Sequence, residues 1–344
     1  MATPLRVAVL GVGVMGSFHT NTLSTRVHGA QVSVVYDFDA DRAAAIAAQI
    51  GARTENDPSA AINAEDVDAV VIASPGPAHE EQVLACLKRG IPVLCEKPLT
   101  TSIGTARAIV DAEAQLDRPL IQLGFMRRFD PEYVAAKELI DAGTIGRPIL
   151  MHCIHRNLTN GDHFGSEMMI RDSVVHEVDV TRYLLGEEIV SVQVHKPTPT
   201  ANAPHGVSDP MIVIFTTETG KLVTVEIFIR TGVGYEVRTE VVGESGSTMF
   251  GLDQQAVTRT ADAAGGRWGG SVPPGFVERF DQAYTIELQR WVDAAQDGTV
   301  DGPGVWDGYA AVAVCEAGVE AVHTGGVVPV ELGPRPGFTN GNER

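Results

Sequence analysis

The sequence predicts two successive domains: an α/β domain with a doubly wound parallel sheet, then an α+β domain built on a mostly antiparallel open sheet. The first observation is the length of 344 residues, which exceeds that of an ordinary single domain. The second is that short apolar runs alternate with helical patterns in the first third of the chain. The third is that runs alternating between apolar and polar residues follow. We place the domains at residues 1–124 and 125–335, with a loosely ordered tail at 336–344.

The first domain takes its predicted elements from short apolar runs separated by helical patterns. Its strands are predicted at 7–10, 32–37, 67–73, 91–95 and 120–125. Its helices are predicted at 39–50, 79–89 and 105–114, with one more between the first two strands. Because strands alternate with helices, we expect a parallel sheet with right-handed crossovers.

The second domain is predicted from runs in which apolar residues recur at every second position. These runs lie at 149–157, 189–195, 212–217, 222–229 and 236–242. Strands of this kind bury one face and leave the other open, which is typical of an antiparallel open sheet. Helical patterns at 276–295 and 306–323 complete the domain.

Charge and composition argue against several classes of protein. The formal net charge of −18 would repel the phosphates of nucleic acids and anionic lipids. No apolar run approaches the roughly 20 residues of a membrane span, and the first residues lack a signal-peptide pattern. The four cysteines form no CxxC pair, so we expect buried thiols rather than disulfides or a zinc site. We therefore expect a cytoplasmic protein that binds neither nucleic acids nor membranes.

A glycine motif follows the first predicted strand. Gly11, Gly13 and Gly16 have GxGxxG spacing, which allows a tight turn, close approach of a pyrophosphate and close packing of helix on strand. Asp37 ends the second strand, where a carboxylate accepts hydrogen bonds from the adenosine ribose and repels a 2′-phosphate. The motif therefore predicts a Rossmann domain that binds NAD rather than NADP. The alternative to the dinucleotide site is a structural glycine turn. Arg42 could contact a phosphate, but we interpret it as a solvated helix residue.

Two further patterns carry candidate chemistry. Lys97 follows the fourth strand, at the edge where it could present a positive charge to a substrate oxygen. Asp172 and His176 stand four apart in a predicted helix, so the carboxylate could orient a histidine that takes a hydroxyl proton. The structural alternatives are a surface turn for the lysine and an incidental pair on an exposed helix. His152 and His155 point to opposite faces of their strand, so we predict no metal site.

Taken together, the motifs resemble the glucose–fructose oxidoreductase/inositol dehydrogenase (Gfo/Idh/MocA) family. The resemblance extends over nearly the whole chain and rests above all on segments 11–16 (GVGVMG), 95–99 (CEKPL), 124–130 (GFMRRFD) and 175–179 (VHEVD). It implies a homotetramer and the NAD-dependent oxidation of a cyclic polyol, with the 2-hydroxyl of myo-inositol as the expected target. Another inositol isomer, a pyranose or a glycoside stays open as the substrate. A sensor that binds NAD(P) without turnover is the alternative from another class.

The resemblance also implies roles for individual residues. Lys97, Asp172 and His176 would form the catalytic triad, in which His176 removes the hydroxyl proton, Asp172 orients it and Lys97 steadies the oxygen. Cofactor contacts are implied for Gly11, Gly13, Val14, Met15, Gly16, Asp37, Ser74, His79, Glu96 and Lys97. Substrate contacts are implied for Arg127, His155, Asn157, Asp172, His176, Tyr235 and Tyr284. The structural alternatives are an ion pair linking the domains for Arg127, solvated strand positions for His155 and Asn157, and core aromatic rings with a solvated hydroxyl for the two tyrosines. The chain departs from the family pattern in the loop 261–274, which in relatives often reaches a neighbouring subunit or the cofactor.

Overall fold

The computed structural model describes residues 3–251, 261–262, 265–266 and 272–338. Contacts between residues divide this part of the chain into two compact units. Unit 1 contains residues 3–126, 282–312 and 333–338, and unit 2 contains the described residues of 127–281 and 313–332. The linear division proposed from the sequence assigns 282–312 to the second domain, whereas its contacts are with the first. Much of the divergent loop 261–274 and most of the tail 336–344 lie outside the described residues.

Unit 1 contains a six-stranded parallel sheet with the strand order β3-β2-β1-β4-β5-β6. Its strands are β1 (Leu5–Leu10), β2 (Ala30–Tyr36), β3 (Arg53–Thr54), β4 (Ala69–Ile72), β5 (Val93–Glu96) and β6 (Ile121–Gly124). The helices between them are α1 (Val14–Thr25), α2 (Ala40–Ile50), α3 (Pro58–Asn63), α4 (His79–Arg89) and α5 (Ile103–Glu113). The order reverses between β1 and β4, which is where doubly wound sheets bind ligands, at the carboxyl ends of the strands.

The central strands of this sheet are apolar on both faces. Val7 and Val9 of β1 have no exposed surface, and Val9 lies opposite Val35 of β2 and Val71 of β4. Helices on both sides of a parallel sheet remove both faces from water, so such strands need no polar alternation. The parallel register brings the carboxyl ends of β2, β1, β4 and β5 to one edge.

Unit 2 contains a seven-stranded sheet with the order β12-β11-β7-β10-β9-β8-β15. Its strands are β7 (Pro148–Arg156), β8 (Ile189–His195), β9 (Met211–Thr217), β10 (Leu222–Phe228), β11 (Glu236–Gly243), β12 (Gly246–Phe250) and β15 (Val327–Pro329). A separate two-stranded ladder joins β13 (Ala261–Asp262) and β14 (Gly265–Gly266). The helices of unit 2 are α6 (Pro131–Asp141), α7 (Ser166–Met168) and α8 (Val175–Leu185). Helices α9 (Phe276–Asp297) and α10 (Val305–Thr324) contribute residues to both units.

Most strand pairs in the larger sheet of unit 2 are antiparallel, although β7 and β10 run parallel. Strand β10 shows the predicted alternation, since Val223, Val225 and Ile227 are fully buried while Leu222 is 44% exposed. The alternation leaves one face of the sheet open, as the sequence predicts. The predicted fold class is therefore confirmed.

Helices α3 and α6 were not predicted from the sequence. Helix α6 begins at Pro131 after Asp130, whose carboxylate accepts from the N–H groups of Glu132 and Tyr133. Helix α3 begins in the same way after Asp57. Proline suits the first helical position because it has no N–H to leave unpaired, and aspartate caps the next donors. An Asp-Pro pair is therefore the signal that could have predicted both starts.

The predicted exclusions can be compared with the described part of the chain. None of its helices is both long and apolar enough to cross a membrane. All four cysteines are buried free thiols, as expected, and burial raises the pKa of Cys86 to about 12. Among these residues, no three side chains of His, Cys, Asp or Glu are grouped so as to hold a metal ion.

Candidate active site

The glycine turn connects β1 to α1 at the carboxyl edge of the parallel sheet. Gly11 has a φ of +83°, a conformation that glycine adopts without a Cβ clash. A Cβ on Gly16 would lie 1.8 Å from the Gly11 carbonyl oxygen, so helix and turn pack as closely as the motif predicts. A Cβ on Gly13 would meet no described atom within 4 Å. The turn therefore leaves open space beside backbone that a pyrophosphate can approach.

The first turn of α1 begins with Val14 and Met15. Gly13 precedes it without a side-chain cap, and the turn carries no acidic residue. Its backbone N–H groups have no acceptor inside the helix, and the positive end of the helix dipole lies there. The Val14 side chain is 75% exposed. An anionic diphosphate fits this helix end. Cofactor contacts of Val14 and Met15 stay a prediction.

Asp37 follows β2 and is held from several sides. Oδ2 accepts from the N–H of Val12 at 2.7 Å, and Oδ1 accepts from the N–H of Asp39 at 2.9 Å and from Arg42 Nη2 at 2.7 Å. Burial opposes ionisation, but the Arg42 guanidinium and the two N–H groups more than offset it, so the pKa of Asp37 lies below its usual value. Arg42 also stacks on the ring of Phe38, with 5.1 Å between Cζ and the ring centroid. Arg42 is therefore tied to Asp37 rather than being simply a solvated helix residue.

Ser74 and His79 lie next to the glycine turn. A Cβ on Gly11 would approach the Ser74 nitrogen to 2.6 Å, and Ser74 Oγ donates to Gln82 at 2.7 Å. His79 is 1% exposed, with Nε2 2.7 Å from the Ser74 carbonyl oxygen and Nδ1 2.8 Å from the Pro98 carbonyl oxygen. The imidazole therefore connects the loop after β4 with the loop after β5 through contacts with a carbonyl group of each loop. Its direct contact with the cofactor stays a prediction.

Glu96 and Lys97 lie at the end of β5. Glu96 is 8% exposed; Oε1 lies 2.7 Å from His19 Nε2, and Oε2 accepts from the N–H of Lys97 at 3.2 Å. A Cβ on Gly124 would stand 3.1 Å from the Glu96 carboxylate, so the glycine leaves room for it. Lys97 is half-buried. The backbone of the candidate catalytic lysine is thus fixed by Glu96, which is fixed in turn by the helix that follows the glycine turn.

Asp172 and His176 lie on a helical segment whose geometry changes between them. Residues Met169–Val174 form a π-helical turn between α7 and α8, and His176 lies in the first turn of α8. The predicted helix is therefore present, but Asp172 lies in the wider π turn. Asp172 is exposed, whereas His176 is 8% exposed. Such π turns are frequent at functional sites because they change the direction in which side chains project.

Four predicted site residues of unit 2 are close neighbours. Arg127 and His155 are each 2% exposed, and Arg127 Nη2 lies 3.4 Å from His155 Nδ1. The ring centroid of His155 lies 5.5 Å from that of Tyr235 and 6.4 Å from that of His176. The fifth member of this cluster is Glu177, which is 1% exposed, pairs with Arg127 and lies 3.1 Å from His155. The structure thus places the candidate base near His155, which is itself a neighbour of Arg127 and Tyr235.

The charges of this cluster balance each other. Burial alone would favour a neutral Glu177, but Arg127 and His155 stabilise the carboxylate and lower the pKa of Glu177 to about 2. Burial would likewise favour a neutral Arg127, yet Glu177 holds the pKa of Arg127 above its usual value. Burial raises the pKa of Tyr235 despite the nearby guanidinium. The phenol therefore stays protonated near neutral pH and can donate a hydrogen bond.

Asn157 and Tyr284, the other two residues implied to bind the substrate, have contacts that differ from those of the cluster around His155. Asn157 follows β7 rather than lying in it; its carbonyl oxygen accepts from the N–H of Thr231 at 3.1 Å. Its Oδ1 is buried with no hydrogen-bond partner among the described residues. Tyr284 is a residue of unit 1, where its ring lies 5.3 Å from Phe18 and 5.9 Å from His19 between centroids. Substrate contact stays a prediction for both residues.

Sequence reasoning missed two residues that organise these groups, His19 and Glu177. His19 is fully buried in α1, three positions after the last glycine of the motif. Its spacing from Gly16 could have marked a polar residue on the buried face of the helix. Glu177 directly follows the candidate base, but nothing local to the sequence links it with Arg127 or His155. That link depends on the packing of three separate segments.

Two family models match the sequence. Residues 5–125 match an oxidoreductase family with an NAD-binding Rossmann fold, and residues 133–249 match the GFO/IDH/MocA C-terminal domain. The two ranges correspond to the regions that contain the parallel sheet and most of the seven-stranded sheet. Both parts of the predicted architecture therefore agree with one family.

Individual relatives match the chain over nearly its full length. It is 55% identical over 334 residues to the inositol 2-dehydrogenase of Rhodococcus erythropolis, covering 95% of this chain and 96% of that one. It is also 55% identical over 334 residues to inositol 2-dehydrogenase 2 of Mycolicibacterium vanbaalenii, covering 96% and 97%. Among solved structures, it resembles the myo-inositol dehydrogenase from Lactobacillus casei in complex with NAD(H) and myo-inositol. That match has a TM-score of 0.91 and 32% identity, and covers 97% of this chain and 98% of the other.

Proposed function

This chain belongs to the GFO/IDH/MocA family of NAD-binding oxidoreductases, and from that premise we propose that it is an inositol 2-dehydrogenase. The reaction oxidises the 2-hydroxyl of myo-inositol to the 2-keto product while NAD is reduced. The observation that carries the proposal is the 55% identity with inositol 2-dehydrogenases over 95% of the chain. The buried polar cluster of unit 2 supports a substrate with many hydroxyl groups, since an apolar pocket would not need it.

The residues at the edge of the parallel sheet fit NAD. The open space at Gly13 and the uncapped start of α1 suit the pyrophosphate, and the ionised Asp37 suits the ribose hydroxyls. The Asp37–Arg42 pair neutralises the guanidinium that a 2′-phosphate would otherwise use. When bound, NAD supplies the hydride acceptor. We assign cofactor contacts to the glycine turn, Asp37, Ser74 and the Glu96–Lys97 loop.

We assign substrate binding to Arg127, His155, Asn157 and Tyr235, with Tyr284 as a further candidate. Arg127 and the Tyr235 phenol are hydrogen-bond donors, and the Oδ1 atom of Asn157 is an acceptor that no described residue uses. Donors and acceptors in one cluster match the hydroxyl groups of a cyclic polyol, each of which both donates and accepts. A site of this kind rejects analogues that leave its buried polar groups unpaired.

The proposed chemistry divides among three residues. His176 accepts the hydroxyl proton as the C–H hydrogen leaves with its bonding electrons, and Asp172 orients the imidazole and stabilises its positive charge. Lys97 stabilises the negative charge that develops on the oxygen. A histidine suits the first role because its ordinary pKa is near neutral pH, and a lysine suits the last because it stays charged there.

We also propose a cytoplasmic homotetramer. The open face of the seven-stranded sheet carries half-buried Ile154, Ile212 and Ile214 together with exposed Val190 and Leu222. Apolar side chains on an open sheet face are typical of surfaces that associate. Burying this face against a second copy of the chain would remove them from water.

The proposed function is tested with the purified protein by measuring NADH formation from a panel of polyols. The panel contains myo-, scyllo- and D-chiro-inositol, glucose, xylose and a simple glycoside, each with NAD and with NADP. We expect the highest kcat/KM with myo-inositol and NAD. Turnover restricted to another member of the panel would replace the substrate. NAD binding without turnover of any compound would indicate a sensor instead of an enzyme.

A further inference from the structure

We propose that Glu177 is a positioning residue for substrate binding, which fixes the proton on Nδ1 of His155 and orients the Arg127 guanidinium. The proposal rests on the proposed function, which assigns substrate binding to His155 and Arg127. Glu177 itself would act through these two neighbours.

The geometry gives each oxygen of the Glu177 carboxylate a different partner. Oε1 accepts from Arg127 Nη1, and Oε2 lies 3.1 Å from His155 Nδ1. The three residues come from separate segments: Arg127 follows β6, His155 lies near the end of β7, and Glu177 lies in the first turn of α8. All three side chains are at most 3% exposed. One carboxylate therefore joins the two residues in a place where solvent cannot substitute for it.

The position of the histidine proton follows from the chemistry of these neighbours. Nδ1 of His155 lies between the carboxylate at 3.1 Å and Arg127 Nη2 at 3.4 Å. A guanidinium can only donate and an ionised carboxylate can only accept. Although burial favours the neutral acid, the adjacent Arg127 guanidinium above all lowers the pKa of Glu177 to about 2, so the carboxylate is ionised near neutral pH. The shorter contact to an anion therefore assigns the proton to Nδ1, as a donor to Glu177.

This tautomer decides what His155 offers to a ligand. In a neutral imidazole with its proton on Nδ1, Nε2 is a hydrogen-bond acceptor. Nε2 has no hydrogen-bond partner in the described part of the chain. An inositol hydroxyl can donate to it, while the guanidinium of Arg127 offers donors beside it. Glu177 thus creates an acceptor next to a donor, the combination that recognises a hydroxyl group of fixed orientation.

Kinetics distinguish this role from a purely structural one through the variants Glu177→Gln and Asp179→Asn. Asp179 is the matched control: it is 1% exposed on the same helix and pairs with Arg128 at 2.7 Å. Both variants remove one buried charge and keep the shape of the side chain. For Glu177→Gln we expect the KM for myo-inositol to rise about tenfold or more, with the KM for NAD within about twofold of wild type. Asp179→Asn should leave both constants near wild type, and equal effects of the two variants on KM would overturn the proposal.

A spectroscopic measurement needs no substrate and tests the tautomer directly. The ¹⁵N chemical shifts of the wild-type protein labelled on histidine report which ring nitrogen carries a proton, and His155→Gln identifies the signals. We expect His155 protonated on Nδ1 and unprotonated on Nε2, and we expect Glu177→Gln to move this distribution. A wild-type His155 protonated on Nε2 alone contradicts the proposal, even if Glu177→Gln fails to fold. The tautomer is read whether or not the wild type oxidises inositol, so failure of the proposed function is recognised separately.

Discussion

We expect Asp37 to determine the choice of cofactor, because its carboxylate is held by the backbone of Val12 and Asp39 and by Arg42. These contacts keep it ionised and fix its position at the end of β2. A fixed anion attracts ribose hydroxyls and repels a phosphate at the same place. We therefore expect the preference for NAD to depend on this one side chain and the groups that hold it.

Replacing Asp37 with serine should shift the preference toward NADP. Asp37→Ser removes the negative charge and releases Arg42, which can then approach a 2′-phosphate. Since placing like charges together costs several kcal/mol, we expect the ratio of kcat/KM for NAD over NADP to fall by at least about tenfold. Steady-state kinetics with both cofactors measure it. The control is Asp39→Ser, because serine also caps the start of α2 and should leave the ratio unchanged.

His176 is expected to carry the proton transfer. His176→Ala should lower kcat by on the order of a hundredfold or more, since general-base catalysis contributes about that much. NAD binding, measured by calorimetry, should stay near wild type. His195→Ala is the matched control, since His195 is exposed at the end of β8. Full turnover in His176→Ala would remove His176 from the catalytic role.

At the scale of elements, helix α1 depends on glycines with different tasks. Gly16 lies against the Gly11 carbonyl oxygen, so a side chain there would push the helix away from the turn. Gly13 faces open space, so a side chain there would meet only what binds in that space. The same motif thus contains one residue required for packing and one required for access.

Alanine variants should separate these tasks. Gly16→Ala should lower the free energy of unfolding by roughly 1–3 kcal/mol, the usual cost of overpacking, in urea unfolding followed by circular dichroism. Gly13→Ala should unfold like wild type but bind NAD more weakly in calorimetry. The control is Gly104→Ala in α5, where the space is open and alanine should stabilise the helix by about 0.5–1 kcal/mol. Equal stability losses at positions 13 and 16 would contradict this assignment.

At the scale of the whole molecule, several carboxyl groups make stability depend on pH. Folding lowers the pKa of Asp66, Asp68 and Glu177, and raises that of Glu113 through burial. A group with a lowered pKa stabilises the folded state above its unfolded pKa and loses this contribution as the pH falls through its folded pKa. The contribution of Glu113 to stability has the opposite sign. Its buried carboxylate destabilises the folded state when charged, and this destabilisation decreases as acid protonates it. The ion-paired groups therefore make acid destabilising.

We expect the free energy of unfolding to fall as the pH drops. The contribution of Glu177 should be lost between its ordinary pKa of 4.5 and about 2. Urea unfolding at several pH values measures this, and Glu177→Gln should show a shallower fall across that window because it has no group to protonate there. A fall as steep as that of wild type would show that Glu177 does not contribute.

The proposed assembly can be tested on the open sheet face. Ile214 is half-buried at the middle of β9, next to Thr224 of β10 and Gln193 of β8. Ile214→Lys places a charge on this face, so we expect dissociation into smaller species in sedimentation velocity. Gln115→Lys, at an exposed position of unit 1, should sediment like wild type. A variant Ile214→Lys that sediments unchanged would place the assembly contact elsewhere.

The fold class, the cofactor motif and most strands can be predicted from local patterns in the sequence. These features depend on residues that are near each other along the chain. The spacing of Gly11, Gly13 and Gly16 fixes a turn, and alternation in strands such as β10 fixes which face is buried. Family resemblance added the expected site residues, among them His155 and Arg127, without indicating what holds them.

Contacts between groups that are distant along the chain depend on tertiary packing. Glu177 joins Arg127 to His155, and His19 reaches Glu96, although each pair is separated by many residues in sequence. These contacts stabilise the fold because the groups are buried. A charge that is removed from water must be paired with another group of the protein. The spacing of residues along the chain carries no record of such partners. Packing alone brings them together.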